Sequence, residues 1–183
     1  MRKVVKSEIG SWVISIGCAI TLAYLVKTFI ISFFIVEGAS MEPTLFNNEK
    51  VLVNKVAAWS GLVDHQDIVV IRDEKNDKYY VKRIIGLPGE KVEIEDDILY
   101  INDKQKEEPY LPEKNEEVDL LKMNTTGDFE AVKVPEDHYF VMGDNRLDSR
   151  DSRNGLGYIK EGDIVGTCEY VIAPFKYSRR INE

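Results

Sequence analysis

The chain has 183 residues, room for one domain of ordinary size and a further segment but not for two large domains. Its formal net charge of −8 argues against nucleic acid as a partner of the folded part. Cys18 and Cys168 lie near opposite ends of the sequence and no HExxH or CxxC occurs, so neither a disulfide framework nor a zinc site is expected.

Residues 9–26 carry no formal charge and are mostly apolar. At about 1.5 Å of rise per residue such a helix is roughly 27 Å long, enough to cross a thin bilayer core. Lys27 interrupts the run, but a lysine at a helix end snorkels to the headgroups. The apolar segment 29–35 is too short to span again and is expected to lie at the interface, leading into the folded part. Arg2, Lys3 and Lys6 precede the run with only Glu8 against them. The positive-inside rule therefore predicts a cytoplasmic tail (1–8), an anchor (9–27) and about 150 residues outside. A cleaved signal peptide would have a shorter apolar core and a small-x-small exit site, which Gly17-Cys-Ala19 and Glu37-Gly-Ala39 match poorly.

Downstream the pattern is that of a mainly antiparallel β domain. Strands are predicted over 50–56, 67–71, 79–85, 91–95, 98–101, 132–135, 138–142 and 163–172, with Gly86-Leu-Pro-Gly89 as a turn. The stretch 105–128 is acidic, contains Pro109 and Pro112, and reads as an exposed excursion. It includes the formal glycosylation triplet Asn124-Thr-Thr126, best read as a chance occurrence. The expected organisation is a β unit built from 28–88 and 132–183, interrupted by a small β subdomain or flap at 89–131.

Ser40 stands in Glu37-Gly-Ala-Ser-Met-Glu-Pro-Thr-Leu-Phe46, a few residues after the apolar run. A serine hydroxyl needs a base. His65 and His138 are loop residues beside aspartates and belong to no triad motif; neither G-x-S-x-G nor S-x-x-K is present. Lysine remains. Its amine is a useful base near neutrality only if burial lowers the pKa by about 2 to 3 units. In the strand around Lys82, alternation puts Lys82 on one face with Tyr80 and Ile84, and Arg83 on the other with Val81 and Ile85. The run from Gly143 to Arg153 alternates three aspartates with three arginines, a pattern that by itself reads first as a solvated loop and that also has the balance a loop held by internal ion pairs needs. Such a loop would bring Ser149 or Ser152 against the lysine.

Four boxes, GASMEPTL at 38–45, DIVV at 67–70, YVKRIIGLPG at 80–89 and GDNRxxSxDSR at 143–153, resemble in order and spacing those of bacterial type I signal peptidase (leader peptidase). With one anchor and a short middle segment the chain looks like the Gram-positive form of the family. The resemblance implies a Ser-Lys dyad endopeptidase that removes signal peptides from exported preproteins at the outer face of the cytoplasmic membrane, without metal or cofactor. It implies Ser40 as nucleophile, Lys82 as general base and Ser149 as the serine that orients the lysine. Asp144, Arg146 and Asp151 would hold the catalytic loop, with Arg83 partnering one of the acids. The family's oxyanion hole uses the nucleophile's own N–H and, in some members, a hydroxyl two residues before it; that position here is Gly38. Val36, Gly38, Met41, Leu45 and Val81 are the expected linings of small pockets for the −1 and −3 side chains. Partners implied are preprotein signal peptides, the lipid bilayer and the secretion translocase, but no nucleic acid. Self-cleaving repressor peptidases share the chemistry but lack an anchor, and a non-catalytic membrane module would not need both Ser40 and Lys82.

Overall fold

A computed structural model describes residues 2–111 and 126–181, and for residues 2–10 the backbone alone. The chain opens with α1 (Arg2–Phe29), which runs past Lys27. Its Ser11–Phe29 part is long and apolar enough to cross a membrane, and none of it is buried against the rest of the chain. A core helix of a soluble domain would hide that surface. Trp12, Ile14, Ile20 and Leu22 instead point outward.

The remaining described residues are mostly antiparallel strand, as the alternating and β-branched runs require. The main sheet contains β1 (Ile31–Ile35), β2 (Lys50–Asn54), β3 (Ile68–Asp73), β4 (Lys78–Gly86), β9 (His138–Met142), β10 (Ile159–Lys160), β11 (Ile164–Ala173) and β12 (Arg179–Arg180). Its order is β1-β2-β11-β3-β4-β9-β10, with β12 on β11. A second sheet has β5 (Lys91–Glu95), β6 (Ile98–Ile101), β7 (Lys104–Gln105) and β8 (Phe129–Lys133) in the order β7-β6-β5-β8. Val92, Ile94, Leu99 and Ile101 of this sheet pack with Phe140 and Met142 of β9, which ties the two sheets together.

Local chemistry explains where the elements depart from the sequence expectation. The strand predicted over 50–56 stops at Asn54, whose side chain accepts from Val56 N–H at 3.0 Å and caps the short helix α2 (Lys55–Trp59). The segment 29–35, expected at the interface, supplies β1, paired with β2 from Ile31↔Asn54 to Ile35↔Lys50. Its alternation is masked because Phe33 and Ile35 are apolar yet exposed. The strand predicted at 132–135 begins earlier, at Phe129, and ends before Pro135. The triplet Asn124-Thr-Thr126 and most of the 105–128 excursion lie outside the described residues.

Among the open strand edges of the main sheet, two lie near Ser40. β1 ends the sheet and pairs on one side only. β4 pairs β3 along Lys78–Arg83 but meets β9 only from Arg83 to Gly86, so its first half also has an unpaired edge.

Candidate active site

Ser40 sits in a tight turn after β1, with Glu42 N–H bonded to Ala39 O and Leu45 N–H to Met41 O. Met41 and Leu45 are driven into the core beside Val36, Val51 and Ile68, and that anchors the turn. Gly38, at φ +85, takes the left-handed conformation that opens it, and its N–H is held by Asn47 Oδ1 at 2.9 Å.

Lys82 lies on the buried half of β4 opposite Val69 and is 2% exposed. Its Nζ donates to Ser40 Oγ at 2.5 Å. Burial lowers its pKa from the ordinary lysine value to about 8, although Asp151 and Asp144 pull it upward. A desolvated amine against a serine hydroxyl is the arrangement that serine nucleophilic chemistry without histidine demands.

The loop after β9 wraps this pair. Asn145 donates its backbone N–H to Ser40 O at 3.1 Å and its side-chain Nδ2 to Ala39 O at 3.2 Å, so the loop holds the serine's backbone. Gly143 is where the two meet: a Cβ there would overlap both Ser149 Oγ and the Ser40 carbonyl oxygen. Its N–H donates to Asp151 Oδ2 at 3.0 Å. Burial alone would push the Asp151 carboxyl up, but Arg153, the Gly143 N–H and nearby Ser149 hold it below the usual range. Arg153 grips both Asp151 oxygens, at 3.0 and 2.9 Å.

Arg83, one residue from Lys82 on the opposite face, makes a bidentate pair with the fully buried Asp144, 2.8 Å from Nε and 2.6 Å from the second nitrogen. Its other nitrogen donates to Gln66 O at 2.7 Å, and Thr44 Oγ1 donates to Asp144 Oδ2 at 2.5 Å. Arg146 turns away from the loop's own acids and pairs with Glu108. Among the described residues, only Asp151–Arg153 is thus a pair internal to the loop. Ser149 Oγ is buried beside Gly143 without a donor or acceptor in hydrogen-bonding geometry, close enough to Asp151 to favour its ionised form. Ser152 Oγ instead donates to Gly157 O at 2.7 Å and accepts from Val141 N–H at 2.9 Å.

A cleft of about 480 Å³ opens from Ser40 and Lys82 between β1 and the first half of β4. Val36, Met41 and Val81 line it. Leu45 is fully buried behind the turn, and Gly38 shapes the chain entering it. Phe34 and Tyr79 meet across the cleft with ring centroids 5.2 Å apart. The two histidines lie elsewhere: His65 Nε2 contacts Glu90 at 2.7 Å and His138 Nδ1 lies 2.9 Å from Glu136 O. Among the described residues no cluster of His, Cys, Asp and Glu is arranged to hold a metal.

The family profile described as "Signal peptidase, peptidase S26" matches residues 9–173. The chain belongs to the signal peptidase family. It is a serine peptidase, a hydrolase. Signal peptidase I P of Bacillus subtilis subsp. natto is 48% identical over 169 residues, covering 92% of this chain and 91% of that protein. Signal peptidase I T of Bacillus subtilis (strain 168) is 49% identical, covering 92% of this chain and 88% of the relative. A crystal structure of signal peptidase I from Enterococcus faecalis V583 is 39% identical, covers 57% of this chain and 94% of that one, and superposes with a TM-score of 0.48.

The peptidase gathers around Ser40 residues that are distant from it in the chain. Lys82, Arg83, Asp144, Arg146, Ser149 and Asp151 converge with it around a single loop. Thr44, Glu108, Tyr110, Asn145 and Arg153 also converge there, and sequence reasoning did not single them out. Glu108 and Tyr110 carried no local signal, because what they touch is distant in the chain.

Proposed function

We propose that this chain is a membrane-anchored endopeptidase that removes N-terminal signal peptides from exported preproteins through a Ser40–Lys82 dyad. Small side chains are preferred at −1 and −3. The observation that carries this reading is the 2.5 Å approach of a buried amine to Ser40 Oγ.

With Lys82 neutral, the hydrogen bond reverses and the Ser40 hydroxyl donates to Nζ. Ser40 Oγ attacks the scissile carbonyl carbon while Lys82 takes its proton. Charge gathers on the former carbonyl oxygen. Ser40 N–H has no acceptor among the described residues and is available to bind that oxygen, whereas Gly38 N–H is engaged by Asn47. The tetrahedral species collapses, the C–N bond breaks, and the Lys82 ammonium protonates the departing amine of the mature chain. Lys82, neutral again, deprotonates a water that hydrolyses the acyl ester and restores Ser40. Asp144 and Asp151 keep the ammonium tolerable between these steps, and the loop they belong to fixes Ser40 from behind. On this reading Ser149 orients the Lys82 amine once its hydroxyl turns toward Nζ, since in the structure its Oγ makes no hydrogen bond to the lysine.

The substrate enters the cleft as an added strand between the unpaired edges of β1 and β4. Val36, Met41 and Val81 leave room for alanine-sized side chains, Leu45 backs the wall from the core, and Gly38 sets the turn. The basic residues before α1 support an anchor with a cytoplasmic tail (1–8), a span (9–27) and a catalytic unit (28–88 and 132–183) at the outer face. The second sheet, from Lys91 to Lys133, supports 89–131 as an inserted unit. The bilayer and the translocase delivering the preprotein are partners on this reading.

The test is cleavage of a purified preprotein in detergent by wild type, Ser40→Ala and Lys82→Ala. Both variants are expected to lose at least about 10³-fold in kcat/KM. Near-normal cleavage by Lys82→Ala would make the lysine structural and require another base.

A further inference from the structure

After β7 the chain leaves the second sheet and crosses to the site. Gln66 Nε2 donates to Glu107 O at 3.3 Å at the start of this crossing. Glu108 then receives the Arg146 guanidinium on both oxygens, at 3.1 and 2.5 Å, in a pair only 3% and 10% exposed at its two side chains. Tyr110 donates its hydroxyl to Glu108 at 2.7 Å. Its ring lies under Arg83, 3.8 Å from guanidinium carbon to centroid, with Arg146 5.9 Å away.

We infer that Glu108 and Tyr110 are positioning residues of the peptidase, holding Arg146 and Arg83 in the geometry that sets Ser40 against Lys82. The inference rests on the Ser40–Lys82 reading.

Charge pairing at the site explains the need for Glu108. Three guanidiniums converge, and the loop's own buried carboxylates satisfy two: Asp144 takes Arg83 and Asp151 takes Arg153. Arg146 needs a third, and a buried unpaired cation is among the costliest arrangements in a protein. Glu108 provides it from the loop that follows β7 of the second sheet. Deprived of it, Arg146, which already feels the charge of Asp144, competes with Arg83 for that carboxylate.

The link to the reacting atoms is short. Arg146 Nε donates to Gly143 O at 3.1 Å, and its own carbonyl accepts from Arg153 at 2.8 Å. The turn so fixed contains Asn145, which holds Ser40 O and Ala39 O. Tyr110 acts on the other partner: its ring stacks on the residue next to Lys82, where a flat aromatic face attracts a guanidinium and an aliphatic side chain does not. One three-residue stretch therefore sets both halves of the dyad.

The experiment uses the full-length enzyme in detergent with a purified preprotein, comparing wild type, Glu108→Gln, Tyr110→Leu, Tyr110→Phe and, as a neighbouring control, Glu107→Gln. Ser40→Ala runs alongside, so that cleavage by that variant would report failure of the dyad rather than of the strap. Activities are normalised to folded enzyme by thermal unfolding, and kcat and KM are separated. Misplacing reacting groups by about 1 Å costs on the order of 10²-fold. The expected result is a fall in kcat of about 10- to 10²-fold for Glu108→Gln and about tenfold for Tyr110→Leu. KM stays within about threefold of wild type, and both Tyr110→Phe, which keeps the aromatic face, and Glu107→Gln retain near-normal kcat. Wild-type kcat in folded Glu108→Gln and Tyr110→Leu overturns the proposal, as does equal loss in Tyr110→Phe and Tyr110→Leu. Should Glu108→Gln fail to fold, the Tyr110 pair decides alone.

Discussion

On the proposed function Lys82 is the residue on which the chemistry turns, and its burial makes a pH prediction possible. Its pKa in the folded enzyme, about 8, lies below the ordinary lysine value of 10.5. Only the neutral amine can accept the Ser40 proton, so kcat/KM should rise through a midpoint near 8 as pH increases. A pH–rate profile of the free enzyme checks this, and a midpoint above 10 would mean that the lysine is solvated when it acts. The same displacement affects stability with a definite sign. Between pH 8 and 10.5 the unfolded chain binds more protons at this lysine than the folded one does, so the Lys82 contribution to stability rises with pH across that window. Below pH 8 the full penalty of burying a charge is present. Each unit of difference is worth about 1.4 kcal/mol, so Lys82 costs stability where the enzyme works.

At the level of elements, β4 is the axis of the site because a strand sends neighbouring side chains to opposite faces. It delivers Lys82 to Ser40 and Arg83 to the loop after β9. The Arg83–Asp144 pair is therefore the joint between strand and loop, with side chains 4% and 0% exposed. Removing one partner of such a pair leaves an uncompensated charge. Asp144→Asn is expected to lower unfolding stability by about 3–5 kcal/mol. Urea unfolding measures it, and a loss under about 1 kcal/mol would show that water or another acid replaces the carboxylate. Activity should fall with it, because the Gly143–Asn145 turn that holds Ser40 is attached to the same carboxylate's backbone. β1 and the first half of β4 add a second feature at this scale, two unpaired edges facing one cleft. Edges of that kind are aggregation hazards unless something occupies them. On the proposed function the substrate does.

For the whole molecule, the question is how a helix with no buried residue over Ser11–Phe29 and a compact β unit coexist in one chain. α1 passes into β1 with a single residue between them, and Lys55 Nζ donates to Thr28 O at 2.7 Å, so the β unit is tied directly to the helix end. On the proposed function, a site on so short a tether works close to the membrane plane, where a signal peptide emerges. The expectation is that the protein stays with membranes through alkaline carbonate washing, and that protease added outside intact spheroplasts digests the β unit. Release by carbonate would make α1 something other than a span, and protection from external protease would reverse the orientation.

The sequence was sufficient for the helix, most of the strands and the choice of Ser40 and Lys82 as candidates, because those depend on local quantities: hydrophobic run length, the two-residue period, and motifs a few residues long. It was also sufficient to set Lys82 and Arg83 on opposite faces, since alternation follows from the strand itself. It did not reveal α2, whose cap depends on the Asn54 side chain turning to accept from Val56 N–H, or β1, whose two apolar faces hide the period. Nor could it reveal that Arg146 leaves its own acid-rich loop for Glu108, that Tyr110 lies under Arg83, or that Gly143 must lack a side chain where Ser40 and Ser149 meet. Each of these depends on which distant segments the sheets bring into contact. Charge pairing and close approach in a buried site are decided by distances in space, and only the tertiary structure sets those.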